Sequence, residues 1–558
     1  MTPNSTSSQP ATLYLYFLLL IAGVGGLLYG IDIGIISAAL LYLGKTVDLT
    51  INQTSIIVAA VLGGSMVSSL IAGFFADWLG RKKMMIVSGA LFVLSVLLIV
   101  VSHGFIPLLL GRLAQGLSGG VIAVVVPLYL AECLPAAMRG RYSAVFQFML
   151  TLGIVAAALI GVFYSGQAEH TIAAAAGNAT LIRAAQDHAW RSMFFVVLYP
   201  SAFFFLGAFF LSESPRWLHR QGRVGEAEAV LCRITSKEEA LRELRDMEQL
   251  AGASTTKEGA RAESLFQHKY VMPFLLTCMV LTFNQTTGIN SVLGYLVVIL
   301  KQAGLSAAHA TQGDLSVKIL NCVMTVVAIT LVDRAGRKFL LMLGTAGIIL
   351  GLTTAGIVFH TYESQRTDVL AQVTSRLQGN ELTLTQQFLA GDGKPSTLTL
   401  LYHYNGGAKI AALVAGDPEP LVLAPDPSEP SVPLTIEHAY LSPIPSARAG
   451  LWITGSFMLF IASFAAGPGV VVWLVLSELM PTRIRSAGMG IALLLNQGAS
   501  TVIAGAFLSI VSTHGYATVL FSWAICTVLY FLVAAFLLPE TKGKTLEEIE
   551  QHFSANSK

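Results

Sequence analysis

Charge is what this chain has least of. Asp, Glu, Lys and Arg make up 12% of its 558 residues, about half the share in a soluble domain. So few charges cannot wet the surface of a soluble multidomain enzyme. A hydrophobic share of 54% excludes a disordered chain. The net charge of +2 gives no draw toward nucleic acid. Cysteine is sparse: Cys133, Cys232, Cys278, Cys322 and Cys526 stand apart, with no CxxC spacing. That excludes a disulfide framework and a cysteine metal site. A convincing Ser/His/Asp set, metal-ligand spacing and a phosphate loop are also missing. Gly116-Leu-Ser-Gly119-Gly120 lies in an apolar run without the Gly-Lys-Ser/Thr ending of a P-loop. No enzyme, metal or cofactor is indicated. What remains is a polytopic membrane protein that meets the lipid bilayer.

A bilayer core takes about 20 apolar residues per helix. Twelve such runs are present, at 13–43, 54–76, 84–102, 105–132, 142–165, 190–211, 271–300, 315–332, 339–360, 449–477, 486–511 and 516–538. Several are long and glycine-rich, as expected of tilted or broken helices around a cavity. The first lacks a basic segment before it and a small-residue cleavage site after it, so it reads as a retained helix. Lys and Arg fall unevenly between the two sides. The side with the termini and the central loop holds 23 and the other holds 10, which places both termini in the cytoplasm.

The two ends of the series repeat each other. Asp77-Trp-Leu-Gly80-Arg81-Lys82 closes the second run and Asp333-Arg-Ala-Gly336-Arg337-Lys338 the eighth, an offset of 256. Glu132 stands seven before Arg139, and Glu478 seven before Arg485, an offset of 346. Leu211-Ser-Glu213 and Leu538-Pro-Glu540 end the sixth and twelfth runs, an offset of 327. Matched pairs in the same order mean two homologous six-helix halves. The shifts in offset locate about 90 extra residues between the ninth and tenth runs and about 19 between the fifth and sixth, matching 166–189. The expected organisation is a first half over 1–211, a central loop with short helices over 212–268, helices 7–9 over 269–360, an external insert over 361–448, helices 10–12 over 449–538 and a tail over 539–558. In the insert, the alternating run 396–404, then Asn405-Gly-Gly407, then 408–414 predicts a β-hairpin. A small β-rich cap and a largely disordered extension both remain open for the insert as a whole.

Six motifs in order give a specific resemblance. Pro127-Leu-Tyr129-Leu-Ala-Glu132 resembles PxYxxE, Ser212-Glu213-Ser-Pro215-Arg216-Trp217-Leu218 resembles PESPRxL, and Gln285-Thr-Thr-Gly288-Ile-Asn290 resembles QxxGxN. Pro539-Glu540-Thr-Lys542-Gly543 resembles the PETKG tail. With the two Gly-Arg-Lys loops, these make the chain similar to the sugar porters of the major facilitator superfamily over nearly its whole length outside the inserts. The resemblance implies an all-α fold of twelve transmembrane helices in two halves, a central sugar site, and a monomer; the lack of long cytoplasmic tails suits a bacterial inner membrane.

Polar side chains are costly inside a span and default to functional candidates. Carboxamides suit a sugar because each presents donors and an acceptor in one plane. By resemblance, sugar contacts fall to Gln147, Asn284, Gln285, Asn290, Asn321, Trp473 and Asn496, with Tyr29 and Phe464 as aromatic lining. An interhelical hydrogen bond is the other reading for a lone amide such as Asn321. Three positions depart from the family pattern: Asn284 replaces a glutamine, Gln497 a tryptophan and Gly294 a tyrosine. They leave the identity of the sugar open, with Ile154 leaning toward a hexose. The loop motifs supply ion-pair candidates for a cytoplasmic gate: Asp77, Arg81, Glu132, Arg139, Glu213, Arg216, Asp333, Arg337, Glu478 and Arg485. Pairs joining the halves would hold that side shut. Topology anchoring alone is the alternative.

Asp32, within an apolar helix, and Arg112, in the fourth run, form the remaining constellation. Burial favours the neutral acid and a nearby guanidinium favours the carboxylate, so a small rearrangement can move a proton. Proton symporters of the family carry Asp at this position and facilitative glucose carriers carry Asn. The resemblance therefore implies a monosaccharide–proton symporter. A sugar or cyclitol uniporter, in which the pair is purely structural, and a transporter-like sensor are the alternatives.

Overall fold

The chain was analysed as a computed structural model that describes residues 9–134, 136–255, 268–392, 396–404, 407–415, 421–423, 433–444, 446–480, 485–542, 548 and 553. Within those elements the side chains at 9–12, 136–144, 246, 249–255, 268, 269, 333, 390–392, 404, 414, 447 and 485–487 lie outside the description.

The first half is built from α1 (Gln9–Thr46), α2 (Ile51–Leu79), α3 (Arg81–Val100), α4 (Phe105–Cys133), α5 (Ala136–Ala174), and α6 (Ala179–Val196) with α7 (Leu198–Phe210), which together make the sixth span. Three short helices follow in the central loop: α8 (Pro215–Arg220), α9 (Val224–Ile234) and α10 (Lys237–Thr255). The second half begins with α11 (His268–Thr286) and α12 (Ile289–Gln302), then α13 (Ala307–Ala335) and α14 (Arg337–Glu363). The seventh span is thus two helices. They part at Gly288, whose φ of 81° suits a residue without a Cβ. After the insert come α16 (Ala447–Ala466) and α17 (Pro468–Leu479), which make the tenth span, and α18 (Arg485–Leu532), which holds the eleventh and twelfth. The tenth breaks at Gly467, where Pro468 opens a new helix with the amide hydrogen it lacks not needed. The kink in α18 falls at Gly515. Among the described residues, twelve membrane helices result, in two halves.

Two boundaries differ from the sequence expectation. Residues 166–189 are not an extra loop. They lengthen α5 and α6, and Asn178 caps the latter by accepting from the amides of Thr180 and Leu181. Glu169, Arg183 and Asp187 make this stretch polar, and Asp187 is neutralised by Arg191 one turn on at 2.7 Å. The eighth span starts at Ala307 rather than 315 for a similar reason, because Asp314 pairs with Lys318.

The insert folds. β1 (Thr367–Asp368), β6 (Thr435–Pro443), β3 (Ser396–Tyr404) and β4 (Gly407–Val414) form an antiparallel sheet in the order β1-β6-β3-β4. β2 (Leu382–Leu384) pairs with β5 (Leu421–Leu423). A short helix, α15 (Leu370–Thr374), lies among them. The expected hairpin is present as β3 and β4, in a register that sets Tyr404 against Gly407. Val373, Leu382, Leu384, Leu398, Leu400, Leu413 and Ala439 give the insert its own core. Much of the Pro- and Asp-rich stretch 417–434 lies outside the described residues. Lys409 on β4 ties the sheet to Asp48, in the loop between the first two spans, at 2.6 Å.

Within a half, backbones touch. A Cβ at Gly30 of α1 would sit 1.9 Å from the carbonyl oxygen of Leu150, and one at Gly153 of α5 would sit 2.2 Å from that of Leu27. Small residues allow such close crossings, which supply packing where lipid gives no hydrophobic drive. Neither oxygen can swing away as a side chain would. Gly30→Val is expected to cost at least 3 kcal/mol, roughly the upper end for overpacking. Gly166→Ala, which meets open space, is expected to change little. Thermal unfolding of the purified variants checks both.

Candidate functional site

At the end of the molecule that carries the termini, each half builds the same knot. Gly80 turns the chain from α2 into α3 at a φ of 93°, and a Cβ there would collide with Glu213. The freed space lets the Glu213 carboxylate accept the amides of Arg81 (2.8 Å) and Lys82 (3.1 Å) at the start of α3. A carboxylate belongs at that positive helix end. The Arg81 guanidinium, 2% exposed, donates to Glu132 (2.8 Å), Asp77 (2.8 Å) and the carbonyl of Ala76 (2.9 Å). Ser214 donates to the other Glu132 oxygen at 2.5 Å. In the second half Gly336, at a φ of 92°, admits Glu540, which accepts from the amides of Arg337 (3.0 Å) and Lys338 (3.2 Å). Arg337 bonds Glu478 at 3.1 Å and Thr541 bonds Glu478 at 2.6 Å. The sequence pairs fixed by offset therefore occupy equivalent places in space.

These partners all lie inside one half. Glu132 meets Arg81 and Glu478 meets Arg337, whereas the expectation had been pairs that join the halves. Arg216 sits half-buried in the first turn of α8. The side chains of Arg139, Asp333 and Arg485 lie outside the described residues. Between described side chains, no hydrogen bond or ion pair crosses from one half to the other at this end.

The insert-bearing end differs. The Val297 amide donates to Ser37 Oγ at 3.1 Å, Lys318 Nζ to the Gly34 carbonyl at 3.1 Å, and Ser509 Oγ to Asn52 at 2.8 Å. Spans 1 and 7, 1 and 8, and 2 and 11 are thereby tied.

Between the two ends, the structure gathers the predicted amides of the second half. Gln285 donates to Asn496 Oδ1 (3.2 Å) and accepts from Asn290 (3.0 Å). Asn290 donates also to Ser500 (2.8 Å), and Asn496 to the Leu281 carbonyl (2.8 Å). Asn284 is buried, with its Oδ1 unbonded. On the facing half, Tyr29 points at Ser65 and Gln497, the neighbour of Asn496. Gln147 is half-buried on α5, one turn before Thr151, which bonds Cys322 beside the buried Asn321 at 3.6 Å. That contact sets Gln147 and Asn321 on the same seam between spans 5 and 8. The described contacts do not join Phe464 or Trp473 to the amides. Phe464 is half-buried at the end of α16 and Trp473 is 46% exposed on α17.

Asp32 and Arg112, expected to face each other within the first half, meet. Both are fully buried, with Arg112 Nη1 3.2 Å from Asp32 Oδ1 and 2.7 Å from Gln115 Oε1. The guanidinium also lies over the Phe194 ring, 5.7 Å from its centre. The second carboxylate oxygen, Oδ2, has no partner. A Cβ at Gly119 would come within 3.3 Å of it and within 3.2 Å of the Tyr29 ring, so the pair and Tyr29 share one small space. Sequence reasoning missed Gln115, which polar character inside the fourth run could have flagged. It also missed Asp314, one residue before the expected eighth run, and Lys318, which lies inside that run.

The family model described as "Sugar (and other) transporter" matches residues 18–375 and 434–553, which leaves most of the insert outside the match. Among characterised relatives, the glucose transporter GlcP of Staphylococcus epidermidis is 28% identical over 96% of both chains. The galactose-proton symporter of Escherichia coli K12 is 26% identical over 97% of this chain and 95% of its own. Among solved structures, the inward-open xylose transporter XylE of Escherichia coli is similar in fold, with a TM-score of 0.67 at 21% identity over 96% of this chain and 99% of its own. By the family match over most of its length, the chain belongs to the sugar porters of the major facilitator superfamily, and it is an integral membrane transporter rather than an enzyme.

Proposed function

We propose that this carrier is a monosaccharide–proton symporter that works as a monomer by alternating access, with both termini in the cytoplasm of a bacterial inner membrane. The observation that carries the reading is a short polar path. Asp32 and Arg112 are buried beside Tyr29, and Tyr29 faces Gln497, next to Asn496 in the amide cluster. A proton on Asp32 removes the charge that holds Arg112. The same rearrangement reaches Tyr29 and, through it, the wall that would hold a sugar.

The amides suit that role because they already bond one another. Gln285 makes one donor and one acceptor bond inside the cluster, so a sugar hydroxyl can replace either without stranding a buried polar atom. Gln147 and Asn321 would close the site from spans 5 and 8. The Lys/Arg asymmetry supports the assigned orientation. The ties at the insert end fit a site sealed from outside.

Coupling has a calculable ceiling. One charge crossing 100 mV is worth about 2.3 kcal/mol, and about 1.4 kcal/mol per tenfold gives roughly 50-fold accumulation. In proteoliposomes with an imposed proton-motive force of about 100 mV, the wild type is expected to accumulate labelled glucose, galactose or xylose toward that limit. Asp32→Asn is expected to equilibrate or exchange the sugar without accumulating it. Accumulation that ignores the gradient would make the pair structural and the protein a uniporter, and transport of inositol alone would move the substrate to a cyclitol. Gln285→Ala removes two hydrogen bonds of about 0.5–1.5 kcal/mol each. Sugar binding measured by calorimetry is expected to weaken about ten- to hundredfold.

A further inference from the structure

The eighth span holds a second pair of buried charges, which the coupling scheme does not use. Asp314 and Lys318 lie one turn apart on α13, 1% and 0% exposed, with Nζ 2.7 Å from Oδ2. Lys318 also reaches across to the other half and donates to the Gly34 carbonyl on α1. Gly34 is two residues from Asp32. Ser37, one turn farther along α1, stands beside the Asp314 carboxylate, and its Oγ accepts the Val297 amide from the seventh span. Asp314 Oδ1 is buried with no bond of its own. Spans 1, 7 and 8 therefore meet at one polar junction, on the insert side of the amide cluster.

The division of labour within the junction is informative. A lysine at this depth is tolerated only when neutralised. Its carboxylate lies on its own helix, so the neutralisation travels with α13. What spans the halves is a bond to a backbone carbonyl and the contacts of one serine. Parting the halves here breaks hydrogen bonds and no ion pair.

We propose that Asp314 and Lys318 form a self-neutralised latch that holds the insert-bearing end shut. Lys318 grips the first span at Gly34, and Asp314 keeps that lysine paired when it lets go. The grip falls on the backbone segment that carries Asp32, so opening this end also moves the Asp32–Arg112 pair. The inference rests on the alternating-access reading, but its test reads accessibility and needs no transport.

Ile36 on α1 is 2% exposed and faces Gly294 of the seventh span across the junction. Ile36→Cys would be placed in a variant lacking the five native cysteines and reconstituted in nanodiscs. Its labelling rate by a bulky maleimide reports opening of this end. Replacing both charges together (Asp314→Asn with Lys318→Gln) is expected to raise the rate at least tenfold, while Lys318→Arg, which keeps a donor and a charge, stays within about threefold of the parent. An unchanged rate in folded double variant, judged by its gel-filtration profile, overturns the proposal. If the double variant does not fold, Ser37→Ala carries the test, since it removes one tie and leaves the ion pair. A rise of threefold or more supports the latch, and a rate equal to the parent's overturns it. A carrier that moves no sugar gives the same reading, so failure of the substrate assignment is separable from failure of the latch.

Discussion

A charge inside a bilayer must be neutralised wherever it goes, and here each described buried charge is neutralised inside its own half. Asp32 has Arg112, Glu132 has Arg81, and Asp314 has Lys318. Glu478, less deeply buried, has Arg337. Apart from the Lys409–Asp48 pair between the insert and the loop after the first span, the described bonds that cross between halves use carbonyls, hydroxyls, amides and one lysine that is already paired. Two bodies built this way can separate at either end without stranding a charge in hydrocarbon.

The same economy explains the duplicated knots. Gly80 and Gly336 each leave room for a carboxylate from the last span of their half, which caps the third helix of that half and stands next to the arginine pair. Four helices are thereby fastened at one point. Farther in, Gly30 and Gly153 let two backbones meet directly. Fastening at the end and contact in the middle stiffen the first half, and under the proposed coupling that stiffness would carry a change at Asp32 into a motion of the whole half.

Much of this was legible in the sequence, and the reasons differ by feature. The spans were, because about 20 apolar residues in a row have few other uses. The duplication was, because Gly-Arg-Lys after a span encodes both a turn geometry and a helix start. The hairpin of the insert was, from alternation around Asn405-Gly-Gly407, although the rest of the sheet was not: β1 and β6 are 66 residues apart, and no local pattern announces their pairing. Charge partners were the weakest point. Asp32 and Arg112 were paired as charges inside spans of the same half and not by local spacing. Local spacing could not tell that Glu132 faces Arg81 in its own half, since that depends on how α2, α3 and α4 pack. Asp314 was lost because a span was drawn by hydropathy, and an ion pair one turn apart makes a buried helix read as its end; Lys318 lay inside that run. The long α5 and α6 were missed because Glu169, Arg183 and Asp187 make that stretch polar.

The claim that two stiff halves move as units is tested most directly by distances between spin labels. One pair would span the halves at the terminal end (Lys83 with Lys338), a second would span them at the insert end (Lys45 with Gln302), and a third would stay inside one half (Lys83 with Phe210, exposed at the end of α7). Double electron–electron resonance with and without sugar should show the first two distances changing in opposite directions between two discrete values while the third stays fixed. A third distance that shifts with the others, or two cross-half distances that rise and fall together, would contradict it.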